Sequence, residues 1–225
     1  MAASPVTTGQ RARRIDRAAR HRAELLLLAS AAVVLGVAAL PAQHDQISGA
    51  ERTVFSWIND LPGFLYGPLA VVMQLGNVLT VFIVAVIALL FRRYRLAVGI
   101  AVAGVAAYVG AKVIKDAVAR GRPTDLLADV HVRGAHVGGL GFVSGHSAVA
   151  FAIVTVVTMW LDRPARIALW CLAVTVAVAR VYVGAHLPLD VVGGAALGIA
   201  CGAAVRLVIG ARRHGRPVSE PSSGG

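Results

Sequence analysis

The sequence predicts an all-α, polytopic membrane protein: six transmembrane helices, with a short interfacial helix after the first. Three observations carry that expectation. Of 225 residues, 57% are hydrophobic and the mean hydropathy is +0.73, too apolar for an ordinary soluble domain. The apolar residues fall in runs long enough to cross a bilayer. Many of the arginines cluster at the ends of those runs.

Taken in order, residues 1–22 are polar and basic and read as a cytoplasmic tail. Residues 23–41 are the first membrane-length run. A basic stretch ahead of an apolar run also describes a signal peptide. This run is longer than a signal core, and Leu40-Pro41-Ala42 is a poor cleavage site, so it reads as a retained anchor. Within 43–76, Val54, Phe55, Trp57, Ile58 and Leu61 can form one face of the interfacial helix. Asn59-Asp60, Pro62-Gly63 and Gly67-Pro68 then break the chain. The second span begins in 64–75 and is completed by 78–91. Residues 96–114 form the third. Residues 115–144 are polar and Gly-rich. The fourth span, 146–161, is short, so its start is expected inside the motif that precedes it. The fifth runs over 166–183 and the sixth over 188–209. Residues 211–225 are basic, then Ser/Pro/Gly-rich, and are expected to be disordered. One membrane domain, 23–210, is thus flanked by two tails.

The formal charge of +11 could suggest a nucleic-acid partner, but its placement argues against one. Only two of the 22 basic residues are lysines, Lys112 and Lys115. Arginines gather at 11–22, at 92, 93 and 95, at 163 and 166, and at 212, 213 and 216, with no basic, aromatic-rich face for stacking bases. Six spans from a cytoplasmic N-terminus put these clusters and both termini inside, and put 43–76, 115–145 and the turn at His186 outside. Cys171 and Cys201 lie in apolar runs and read as small hydrophobes, not as a disulfide or metal site.

Three short motifs then fall on that one outer face. Lys115 and Arg122 are seven residues apart, about two helical turns, so both emerge on one face if the helix runs on to Pro123. Two cations there can grip a dianion, or they can be boundary residues reaching for headgroups. Ser144-Gly145-His146 opens an apolar helix, where an N-cap and free N–H groups attract anions and a histidine can pass a proton. It can equally be a plain helix start. Arg180, His186 and Asp190 form the sharpest group. Asp190 falls in the first turn of the sixth span, where a carboxylate without a partner is costly. An Asp that accepts from one imidazole nitrogen leaves the other free to attack.

The ordered set Lys115-x6-Arg122-Pro123, Ser144-Gly145-His146 and Arg180-x5-His186-x3-Asp190 resembles the three-part signature of the type 2 phosphatidic acid phosphatase superfamily, in its integral-membrane lipid phosphatase branch. The resemblance implies that His186 is the nucleophile, that Asp190 orients it, and that His146 protonates the leaving group and later activates water. It implies that Lys115, Arg122, Arg180, Ser144 and Gly145 cradle the phosphoryl oxygens, with no metal and no cofactor. Val143 stands where the family usually has Pro, and Ala179 where it usually has Ser.

The expected activity is therefore hydrolysis of a lipid phosphate monoester or diphosphate. Polyprenyl diphosphate, phosphatidylglycerophosphate, phosphatidic acid and a prenyl-linked sugar phosphate all fit, and the sequence does not choose among them. A lipid phosphotransferase and a non-catalytic protein that binds or flips prenyl phosphates are the alternatives. Oligomeric state is not legible. His131, His136, Asp125 and Asp129 read as surface residues of the outer loop, and Gly193-Gly194 and Ala195-Ala196 as packing positions between helices.

Overall fold

The structure, a computed structural model, describes residues 8–134 and 138–210, with side chains from residue 18. The expected tail 211–225 and His136 lie outside the described residues. Those residues form nine α-helices and no strand. They are α1 (Thr8–Ala42), α2 (Gly49–Asn59), α3 (Tyr66–Met73), α4 (Val78–Leu90), α5 (Tyr94–Val118), α6 (Pro123–Leu126), α7 (Gly145–Val157), α8 (Arg163–Tyr182) and α9 (Pro188–Ile209).

Among the described residues, four helical stretches are long and apolar enough to cross a membrane: Ala18–Ala42, Tyr94–Leu126, Arg163–Tyr182 and Pro188–Ile209. A fifth candidate is a broken one. Gly63–Gly76 and Val78–Leu90 meet at an angle of 66°, so the expected second span is bent at Asn77. Asn77 is extended (ψ 145°) and its side chain accepts from the Leu79 N–H, which starts α4 afresh.

The expected fourth span, Gly145–Trp160, is apolar but shorter than the others. Its burial gives the reason. Every residue of α7 from Ser147 to Val156 is buried, which is the pattern of a helix packed on all sides. α5 and α4 cover one side, and α8 covers another. With no lipid face, its 13 residues, about 20 Å of helix, need not match the bilayer.

α9 lies along α7 on a row of glycines four residues apart. A Cβ on Gly194 would fall 2.4 Å from the Ser144 carbonyl oxygen. One on Gly198 would fall 2.3 Å from that of Ala148, and one on Gly202 would fall 2.5 Å from Thr155 Cβ. Gly193 admits Phe142 in the same way, at 2.7 Å. The packing role expected of Gly193-Gly194 is thus met, and it extends one further turn in each of two steps down the helix. Apolar side chains face outward elsewhere, as Leu79, Phe82, Ile83, Val86 and Leu90 on α4 and Val98, Val102, Val105, Val109 and Val113 on α5. Stripes of this size suit lipid contact, not water.

α2 exists, capped by Ser48, and Val54, Trp57 and Leu61 of the apolar face read for an interfacial helix stay exposed. Glu51, Phe55 and Asn59, spaced by four, point inward, and Trp57 is 73% exposed. Asn59 takes that place because its side chain donates to the His131 and Tyr182 carbonyls, each at 3.0 Å. α1, for its part, starts at Thr8, so the basic segment before residue 23 continues the helix of the anchor from that point.

The glycine row makes a direct prediction. Gly198→Leu lowers stability by about 1–3 kcal/mol, because the Ala148 backbone cannot yield to the new side chain. Gly36→Ala, where nothing lies within 4 Å, leaves the midpoint unchanged or raises it. Thermal unfolding of the two proteins in the same detergent checks both.

Candidate active site

The candidate residues converge where α5 ends, α7 begins, α8 ends and α9 begins. Gly184, at φ +74°, turns the chain tightly from α8 to α9. The Ala185 and His186 N–H groups both donate to the Arg180 carbonyl, which folds His186 back over the end of α8. Pro188 occupies the first position of α9, where no N–H is needed. The Asp190 Oδ2 accepts from the Leu187 N–H at 2.9 Å, closing the first turn of α9. The Ser144 N–H donates to the Asp190 carbonyl at 2.8 Å, which locks the start of α7 to that turn.

This frame sets His186 Nδ1 3.5 Å from Asp190 Oδ2. The separation is at the outer limit of hydrogen bonding, and the pair is buried, with His186 2% exposed and Asp190 0%. At this separation Nδ1 makes no hydrogen bond among the described residues, but Asp190 lies on its side of the ring and Nε2 is on the other. Burial, then the charges of Arg180, Lys115 and Arg122, push the His186 pKa well below the ordinary imidazole range. The ring is therefore neutral at neutral pH, and a neutral ring can attack.

Lys115 and Arg122 do meet at the site, by a route the spacing did not suggest. α5 stops at Val118, four residues before Arg122, with Ala119 in the left-handed region as its cap. Pro123 then begins α6 instead of ending α5, with Arg122 as its N-cap. Asp125, read from the sequence as a solvating loop residue, accepts from the Arg122 N–H at 2.8 Å. The two cations come together on the segment before α7. Lys115 Nζ donates to the Leu140 and Gly141 carbonyls at 2.7 and 3.0 Å, and Arg122 Nε donates to that of Gly139 at 2.8 Å. Arg122 Nη1 also donates to the Ala185 carbonyl at 2.7 Å, beside His186.

The other cradle residues have polar atoms to offer. Ser144 is the N-cap of α7 but makes no capping bond, and its Oγ is buried without a partner among the described residues. Arg180 Nη1 lies 3.3 Å from Met73 Sδ, and its Nε is likewise buried and unpartnered. Each of these groups can take a further hydrogen-bond partner. Nothing lies within 4 Å of the Cβ position of Gly145. His146 is half-buried under the break between α3 and α4, where a Cβ on Gly76 would sit 2.6 Å from its carbonyl oxygen. Val143 and Ala179, the two departures from the usual motifs, are both fully buried, so Val143 fills core space and Ala179 adds no polar group.

Sequence reasoning missed Arg120 and Glu51. Arg120 is fully buried. Its Nη1 donates to Asp190 Oδ1 at 3.0 Å and to Glu51 Oε1 at 3.2 Å, and its Nη2 donates to Glu51 Oε2 at 2.9 Å and to the Gln46 carbonyl at 3.0 Å. Glu51 Oε1 in turn accepts from the Leu189 N–H at 3.0 Å. One guanidinium thus joins α2, the end of α5 and the start of α9, and fixes the face of Asp190 that His186 does not use. The available signal was a second arginine two residues before Arg122, and nothing in the spacing linked it to Glu51. The His131 ring, by contrast, is exposed and lies 3.4 Å from exposed Asp60. Among the described residues no group of three or more His, Cys, Asp or Glu is placed to hold a metal ion.

Residues 94–214 match the family model described as PAP2 superfamily. The structure is similar to that of Aquifex aeolicus LpxE, with a TM-score of 0.59 and 26% identity over 68% of this chain and 92% of that one. It is also similar to the first transmembrane PAP2 type phosphatidylglycerolphosphate phosphatase from Bacillus subtilis, with a TM-score of 0.64 over 80% of this chain and 94% of that one. At 20% identity the second likeness is one of fold. No curated protein matches the chain.

The buried triad predicts a coupling. Arg120→Gln alone destabilises by about 3–5 kcal/mol, because it strands two buried carboxylates. Adding Glu51→Gln recovers part of that loss, with a coupling of about 0.5–3 kcal/mol. Unfolding midpoints of the two single variants and the double variant measure it, and strict additivity contradicts the network.

Proposed function

The chain belongs to the PAP2 superfamily, and from that membership we propose metal-independent hydrolysis of a lipid phosphate monoester or diphosphate through a phosphohistidine. That the chain is a lipid phosphate phosphatase follows from the family and from the likeness to LpxE. The observation that carries the proposed mechanism is the buried His186–Asp190 pair set among Lys115, Arg122 and Arg180.

In the first step His186 Nε2 attacks phosphorus as the bond from phosphorus to the leaving oxygen breaks. His146 gives its proton to that oxygen, so the alcohol or phosphate departs neutralised. Asp190 holds the proton on Nδ1 and offsets the positive charge that the ring acquires. Lys115, Arg122 and Arg180, with the Ser144 hydroxyl and the Gly145 N–H, stabilise the equatorial oxygens in transit. In the second step His146 takes a proton from water, the hydroxide attacks the phosphohistidine, and phosphate leaves with His186 restored.

We place the site on the extracytoplasmic side and both termini in the cytoplasm, on the arginine distribution. A cysteine at Ala128 labelled by an impermeant thiol reagent in intact cells, with one at Arg93 unlabelled, supports this sidedness. The reverse pattern overturns it. Which lipid is used is read by a phosphate-release screen of purified protein across polyprenyl diphosphate, phosphatidylglycerophosphate and phosphatidic acid. Release that fails in EDTA and returns with one divalent ion ends the metal-independent reading.

His186→Ala is expected to abolish turnover in a protein that still folds, and His146→Ala to cost about 10²–10⁴-fold. Rapid quenching traps phosphate on His186 in the native chain. Since the His186 pKa is depressed, its reactive neutral form persists as the pH falls through the ordinary imidazole value, about 6.5. The acid limb that this group sets on kcat/KM therefore lies below that pH. A diphosphate substrate series measured from pH 4 to 8 tests the direction.

Helix-end placement of the site favours an amphiphile, whose buried tail supplies binding energy that orients the phosphate. The value of kcat/KM rises with chain length at constant headgroup in detergent micelles. p-Nitrophenyl phosphate, the soluble control, is the poorer substrate. A flat series removes the lipid from the reading and leaves the phosphatase.

A further inference from the structure

α2 is bonded on both sides of the turn that carries His186. Glu51, in its first turn, accepts through Oε1 from the Leu189 N–H at 3.0 Å, at the start of α9. Asn59, its last residue, donates through Nδ2 to the carbonyl of Tyr182, the last residue of α8, at 3.0 Å. Along the helix the two grips are about 12 Å apart. Phe55, midway between them, shares a buried apolar cluster with Val181 and Leu187, which flank the turn. The Asn59 end is tied a second time. Its Oδ1 accepts from the His131 N–H at 2.8 Å, and Arg133 Nη1 donates to the Asn59 and Tyr182 carbonyls at 2.6 and 2.8 Å. Residues 183–187 are thus held at their exit by Glu51 and at their entry by Asn59.

The opposite face of α2 is apolar and open. Val54 and Trp57 on it are exposed, as are Leu61 and Phe64 just beyond its end. Along the chain the exposed apolar series goes on through Val71 and Leu75 into Leu79 and Phe82 of the α4 stripe, which suits lipid contact. α2 also sits where α8 ends and α9 begins, and both are of membrane-spanning length, so its depth is that of a bilayer interface. An amphipathic helix with an exposed tryptophan suits that depth, where an indole ring meets both chains and headgroups.

We propose that α2 is seated in the membrane interface through Val54 and Trp57, and that from this seat it positions the α8–α9 turn and His186 with it. The partner is the bilayer surface itself. Glu51 and Asn59 act through Arg120, the Leu189 N–H and the Tyr182 carbonyl, so they are positioning residues. His186 is the nucleophile of the proposed function, so the effect on turnover rests on that reading; the seat does not.

The test uses the purified full chain in phosphatidylcholine nanodiscs. Subtracting the emission of Trp57→Phe from that of the native chain isolates Trp57 from Trp160 and Trp170. Lipids brominated near the headgroup end of the chain are expected to quench it more than lipids brominated near the chain end. Absence of quenching by either overturns the seat, and a crosslinked dimer through residue 57 gives the face to a second copy instead. Trp57→Gln with Val54→Gln removes the apolar face and leaves the buried side of α2 intact. It is expected to speed amide hydrogen exchange at residues 184–187 several-fold and to lower kcat about tenfold, with KM changed less than about twofold. Trp57→Phe with Val54→Ile is expected to restore both. Asn59→Asp, which breaks the brace from inside, is expected to speed the same exchange while Trp57 stays quenched. If that variant folds poorly, the exposed pair decides alone. Unchanged exchange and unchanged kcat in the Gln pair overturn the proposal. Exchange is read without substrate, so a native chain that releases no phosphate ends the phosphatase reading and leaves the brace to be judged by exchange.

Discussion

Much of this architecture hangs on one buried guanidinium. Arg120 has no access to solvent, and its charge is matched only because Glu51 and Asp190 are both delivered to it. A buried ion network of this kind adds little to net stability compared with an apolar core, but it is costly to break. That asymmetry makes it a specifying interaction. α2 must dock, α5 must end where it does, and α9 must start at Pro188, or a charge is left alone in the interior. The same contacts orient Asp190, so the requirement that fixes the fold also fixes the geometry around His186.

The cations of the proposed phosphate cradle have a structural task of their own. Lys115 and Arg122 are bound to the carbonyls of 139–141, the stretch that leads into α7. Under the proposed function, a phosphate entering the site would compete with those carbonyls for the same donors. Charge-assisted bonds to a dianion are stronger than bonds to neutral carbonyls, so the exchange favours the ligand. It also links occupancy of the site to the path of this segment. The unpartnered Ser144 Oγ and Arg180 Nε need no such exchange.

What was legible in the sequence was whatever depends on local runs. α9 matches its expected span because a proline start and an unbroken apolar run are both local signals. α8 extends three residues further back, to an Asp162 cap. The three motifs were legible as a set, although the geometry that joins Lys115 to Arg122 was not. Spacing presumed one continuous helix, whereas the pair is united by carbonyls some twenty residues later. Arg120 lies 69 residues from Glu51 and 70 from Asp190. No periodicity connects such positions, and an arginine beside a motif arginine looks like more of the same charge. The inward face of α2 was not legible for a related reason: Glu51 and Asn59 are buried by what they bond, which a hydrophobicity pattern does not register.

α7 has a further consequence. The helix that presents Ser144, Gly145 and His146 is wrapped by protein and has no face of its own toward lipid. The outer helices α1, α4 and α5 carry the exposed apolar stripes and so feel any hydrophobic mismatch with the membrane. Mismatch is relieved by tilt of the helices in contact with lipid, at fractions of a kcal/mol per ångström. A short, shielded central helix therefore lets the periphery adjust to thick and thin bilayers while the start of α7 keeps its register against α9. Turnover compared across bilayers of graded acyl length would read that insulation directly.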